Sequence, residues 1–70
     1  MFDNISMNNF KENLKGLRLE MGLTQKELAK NLSVLERTVS YWENGERECD
    51  FDSLIRISKF FGVPIDDLLL

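Results

Sequence analysis

No histidine occurs among the 70 residues, and cysteine and proline occur once each, as Cys49 and Pro64. The missing imidazole removes the commonest general base at neutral pH and the usual nitrogen ligand of a structural zinc site. A lone thiol has no partner for an internal disulfide, so stability has to come from packing alone. Glycine is scarce too, and no glycine-rich loop is available to cradle a phosphate. With no histidine beside a nucleophile and no clustered metal ligands, we expect neither catalysis nor a cofactor nor a metal. No apolar run approaches the roughly 18 residues that cross a bilayer, so no membrane partner is expected. Residues 1–9 also lack the basic and apolar regions of a secretory leader. A cytoplasmic location is expected on those grounds, and a reduced cysteine suits it.

What is present describes a globular chain: 43% apolar and 30% charged residues, too hydrophobic for disorder. Seventy residues fill one domain, which buries only about 60% of its extended surface. The formal net charge is −3, which runs against the basic patch expected of a nucleic-acid binder. Distribution matters more than the total. Half of the twelve acids come late, at Glu46, Glu48, Asp50, Asp52, Asp66 and Asp67, while the segment up to Asn44 is balanced. Any basic face is therefore thin, with modest non-specific affinity for polyanions.

Apolar residues recur at helical spacing almost throughout, with no strand-like alternation, so the domain over residues 9–70 is expected to be all-α, with residues 1–8 as a tail. Phe10, Leu14, Leu17, Arg18 and Met21 mark one stripe of a first helix, closed by Gly22. Thr24, with Glu27 three residues on, has the spacing of a capping box and opens a second helix whose inward positions are Leu28, Ala29 and Leu32. A turn at Ser33 and Val34 leads to a third helix anchored by Val39 and Trp42 and ended by Asn44 and Gly45. Ser33 and Glu36 have capping-box spacing as well, which would start that helix as early as Val34. After a polar loop over residues 46–50, Asp50 or Asp52 caps a fourth helix over residues 51–61, with Leu54, Ile57, Ser58 and Phe61 inward. Gly62, Val63 and Pro64 interrupt, and residues 65–70 form a short fifth helix.

Two short helices joined by a tight turn, the first carrying a small residue and the second ending in an aromatic anchor, are the unit that sets a helix into a major groove. The runs Thr24-Gln25-Lys26-Glu27-Leu28-Ala29 and Thr38-Val39-Ser40-Tyr41-Trp42-Glu43-Asn44-Gly45 resemble the helix-turn-helix family of phage repressors and Cro proteins, also called XRE-like regulators. The resemblance implies a five-helix fold of the lambda-repressor type, binding double-stranded DNA as a transcriptional regulator. It places base-reading positions at Glu36, Arg37 and Tyr41, and backbone contacts at Gln25, Thr38, Ser40 and Asn44. It also pairs Arg18 with Glu43, joining the first helix to the end of the third. Three positions depart from the family pattern: Ser33 stands where a turn glycine is usual, Leu35 where a capping serine or threonine is usual, and Cys49 where a proline is usual after the third helix.

The side chains suit those implied roles, since Arg37 can donate two hydrogen bonds to guanine, Glu36 can accept from a cytosine amine, and Tyr41 can pack on a thymine methyl or reach a phosphate. Glu36 also repels misplaced phosphate and so favours specificity over affinity. A homodimer is expected, with Val63, Pro64 and Ile65 as the contact, because they add apolar surface that a monomer this small would otherwise expose. The acidic balance keeps a second expectation open: an interaction module of the same fold, such as an antitoxin or regulator subunit, with little affinity for DNA.

Overall fold

Five helices account for most of residues 9–70, the part of the chain that the computed structural model describes; the expected tail over residues 1–8 lies outside it. They are α1 (Phe10–Glu20), α2 (Gln25–Leu32), α3 (Glu36–Asn44), α4 (Phe51–Phe61) and α5 (Ile65–Leu69), and no strand occurs among the described residues. None of these helices is long and apolar enough to cross a membrane.

The start of α2 forms as its residues dictate. Thr24 Oγ1 accepts the Glu27 backbone N–H at 3.0 Å, and the Thr24 N–H donates to Glu27 Oε1 at 2.8 Å. This reciprocal pair satisfies two donors that a helix start leaves open. At the other end, Ser33 takes the left-handed conformation, φ 60° and ψ 41°. The Val34 N–H then turns back to the Ala29 carbonyl at 3.0 Å.

That geometry corrects the second capping box. α3 starts at Glu36, with Leu35 as an N-cap that offers no side-chain bond. A box needs its acceptor at the N-cap and its acid at the third helical residue, whereas Ser33 closes α2 and Glu36 is the first residue of α3. Met21 also departs from expectation: α1 ends at Glu20, Met21 is its C-cap and is 53% exposed, and Leu23 packs on the core in its place. In α4 the buried face is Ser53, Leu54 and Ile57, while Ser58 and Phe61 are only half-buried. The Ser58 hydroxyl donates to the Val63 carbonyl across the α4–α5 turn.

The core joins Phe10 and Leu14 of α1, Leu28, Ala29 and Leu32 of α2, Val39 and Trp42 of α3, Leu54 and Ile57 of α4, and Leu68 of α5. Burying each large aliphatic side chain contributes about 1.5–3 kcal/mol. Ala29 leaves the room for α2 to lie against α3, and α1 packs on α3 from another side. The Phe10 ring meets Trp42 edge-on, with centroids 6.4 Å apart. Asn9 and Asn13 donate to the carbonyls of Leu70 and Leu68, tying α5 to the start of α1. Arg56 Nη1 reaches the open Leu32 carbonyl at the end of α2. Helix α3 is thus gripped along its inner side by two neighbours.

Candidate nucleic-acid interface

Nine residues make two and a half turns, so α3 has a clear inside and outside. Val39, Trp42 and Glu43 are buried, while Glu36, Arg37 and Asn44 are exposed and Ser40 and Tyr41 half-exposed. At 3.6 residues per turn those last five share roughly 140° of the helix circumference, and the buried three all fall outside that arc. The structure therefore gathers five of the contact residues expected from the sequence on the side of α3 that no other helix covers. Thr38 lies off that face and is half-buried. Ser40 and Asn44 are linked along the helix at 3.4 Å.

What fixes this face in direction is a buried ionic knot beneath it. Arg18 Nε donates to Glu43 Oε2 at 2.7 Å and its Nη2 to Glu43 Oε1 at 3.0 Å, a bidentate pair joining α1 to α3. Arg18 Nη1 also donates to the Leu23 carbonyl at 2.9 Å. Gln25, the first residue of α2, donates from Nε2 to Glu43 Oε1 at 3.0 Å. The hydrogen bond to Glu43 holds the Arg18 guanidinium even more firmly protonated, against the opposing effect of burial. No buried side-chain nitrogen or oxygen among the described residues lacks a partner. Three helix segments thus meet at one carboxylate, and α3 cannot roll without breaking it. Gln25, expected at a phosphate, has its amide nitrogen turned inward to this knot.

The far end of α3 carries a residue that the sequence reading missed. Gly45, at φ 76°, ends the helix in a left-handed step, and the Glu46 N–H bonds back to the Tyr41 carbonyl at 2.9 Å. A Cβ on Gly45 would also stand 3.1 Å from Lys11 Cδ. The reversal lays Arg47 over the Tyr41 ring, its guanidinium carbon 4.8 Å from the ring centroid. The glycine-terminated helix end was visible in the sequence, and such an end folds the next residues back over the last turn.

Elsewhere, the expected dimer residues lie at the α4–α5 turn, with Pro64 exposed and Val63 and Ile65 half-buried. Val63 packs partly on the core. Cys49 is buried, and burial, with Asp50 adding repulsion, pushes its thiol up to about 12 against a weaker opposing bond from Ser53. A thiol so held is not a nucleophile near neutral pH. Asp50 is the residue at the N-cap of α4; hydrogen bonding with Ser53 keeps its carboxyl below the usual range.

The helix-turn-helix family profile matches residues 14–68. Over 60 residues, 86% of this chain, it is 47% identical to the HTH-type transcriptional activator BcrR of Enterococcus faecalis, of which it spans 29%. A transcriptional regulator from Listeria innocua superposes with a TM-score of 0.81 at 42% identity, over 86% of this chain and 56% of that one. Hydroxypropylphosphonic acid epoxidase from S. wedmorenis superposes with a TM-score of 0.83 at 33% identity, over 93% of this chain and 35% of that one. The chain thus spans less than two thirds of each of these proteins. The same five-helix shape is found within regulators and within an enzyme, so shape by itself assigns no activity. On its capped α2, its α3 locked through Glu43 and the matched residues 14–68, the chain belongs to the helix-turn-helix family.

Proposed function

We propose that this chain binds double-stranded DNA in a sequence-specific way as the DNA-binding part of a transcriptional regulator. The observation that carries the reading is the outer face of α3: Glu36, Arg37, Ser40, Tyr41 and Asn44 lie together on the side that no other helix covers, while the inner face is fixed by Arg18 and Glu43. In this reading α3 enters the major groove, Arg37 and Glu36 reach base edges, and Asn44, Ser40 and Thr38 lie toward the backbone. Gln25 approaches a phosphate through its backbone N–H at the start of α2, its side-chain amide being held by Glu43. The domain acts as a cytoplasmic homodimer through Val63, Pro64 and Ile65, with recognition helices about 34–36 Å apart. Its role is binding, not catalysis: the sequence holds no histidine, and its one thiol is buried.

Selection of bound sequences from a random DNA pool tests the reading. Enrichment of two half-sites one helical turn apart is the expected result, and a pool that stays random after repeated rounds would overturn it. The net charge of −3 favours a second reading, a protein-interaction module of the same fold. Retention on random duplex separates the two, because a DNA binder releases counterions and weakens linearly on a log–log salt plot, whereas an interaction module shows a flat response. Sedimentation at high micromolar concentration tests the dimer, and a strictly monomeric mass would remove it.

A further inference from the structure

Tyr41 sits on the outer face of α3, yet the face of its ring is already occupied. The Arg47 guanidinium lies over it at 4.8 Å from the centroid. This contact follows from how α3 ends. Gly45 turns the chain back, the Gly45 and Glu46 N–H groups close onto the Trp42 and Tyr41 carbonyls at 3.3 and 2.9 Å, and the next residue is delivered above the last turn. Arg47 is flanked by Glu46 and Glu48 but, among the described residues, pairs with neither. A guanidinium held over an aromatic ring still has N–H donors for a further partner and has already lost part of the rotamer freedom that a free arginine must give up on binding. The result is a cation held against Tyr41 at the C-terminal end of α3.

Building on the DNA-binding reading above, we propose that Tyr41 is a positioning residue and not a reader of bases: its ring holds Arg47, and Arg47 takes a backbone phosphate at the C-terminal end of α3. A phosphate contact is independent of sequence, whereas a base contact is not. The two roles therefore separate on DNA of random sequence.

The test uses the full chain and a random-sequence duplex, with binding followed by fluorescence anisotropy across a salt series. Arg47→Gln is expected to lower the log–log salt slope by about 0.9, the value of one phosphate contact. Tyr41→Leu is expected to lose part of the same affinity, and the double variant to bind no more weakly than Arg47→Gln alone. Tyr41→Phe restores the ring without the hydroxyl and is expected to restore the binding. In proton NMR, the Arg47 δ-protons should be shifted upfield by the ring current in wild type and in Tyr41→Phe, and not in Tyr41→Leu. An unchanged slope for Arg47→Gln, or a loss in Tyr41→Phe equal to that in Tyr41→Leu, overturns the proposal. A wild-type chain with a flat salt response overturns the DNA reading itself and the phosphate role with it, while the ring-current shift still reports the stack. Circular dichroism of Tyr41→Leu separates loss of the platform from loss of the fold.

Discussion

Arg37 and Arg18 are the same residue type with opposite tasks, and the difference lies in what surrounds each. Arg37 is exposed on the outer face of α3, whereas Arg18 is 8% exposed and makes a bidentate pair with Glu43. Arg37→Ala should weaken binding to a selected sequence by about 5- to 150-fold, the equivalent of one bidentate base contact. Its thermal midpoint should barely move, since exposed substitutions usually stay within about 0.5 kcal/mol. Anisotropy and a melting curve on the same sample check both halves, and a collapsed melting transition would make Arg37 structural. Arg18→Ala leaves Glu43 buried without its ion partner, at a cost of about 3–5 kcal/mol. A domain this small has little more than that in reserve, so the variant should be largely unfolded by far-ultraviolet circular dichroism. Replacing both partners, as in Arg18→Met with Glu43→Leu, should recover much of the fold; failure to do so would show that the Leu23 and Gln25 bonds matter more than the charge pair.

Helix ends decide how well α2 and α3 hold their relative direction. The box of Thr24 and Glu27 was legible because both members fall within four residues of one another. Thr24→Ala should lower stability by about 1 kcal/mol in urea denaturation, with an unchanged slope. Ser33 was misread for a physical reason: its spacing to Glu36 is that of a box, but the tight turn requires a left-handed residue there, and closing α2 wins over opening α3. A non-glycine residue in that region carries strain, so Ser33→Gly should stabilise the fold by roughly 0.5–1 kcal/mol after the extra chain entropy of glycine is subtracted. A lowered urea midpoint would mean that the serine side chain contributes more than its backbone strain removes. The end of α3 was expected from Asn44 and Gly45, but what the turn then places over Tyr41 was not.

Over the whole molecule, the single cysteine ties stability to pH. The Cys49 thiol sits near 12 in the fold and near 8.5 in an unfolded chain. A raised value means that the folded state keeps its proton longer, so this contribution is intact below about pH 8.5 and is lost as pH rises toward 12. Wild type should therefore lose stability relative to Cys49→Ala by up to ~1.4 kcal/mol per pH unit across that window, read as urea midpoints of the two proteins. Parallel pH profiles would show that the thiol is not desolvated in solution. Five helices, a capped α2, a buried Trp42 and a mixed-charge outer face on α3 were all determined by local sequence, because periodicity and capping act within a few residues of one another. What only the tertiary structure decided involves residues far apart in the chain. The convergence of Arg18 and Gln25 on the Glu43 carboxylate spans 25 residues, and the resemblance offered only its Arg18–Glu43 half. The inward turn of Gln25, the exposure of Met21 and the stacking of Arg47 on Tyr41 depend on where one helix end falls against its neighbours. Packing of one element on another selects among side-chain directions that local propensity leaves equally open.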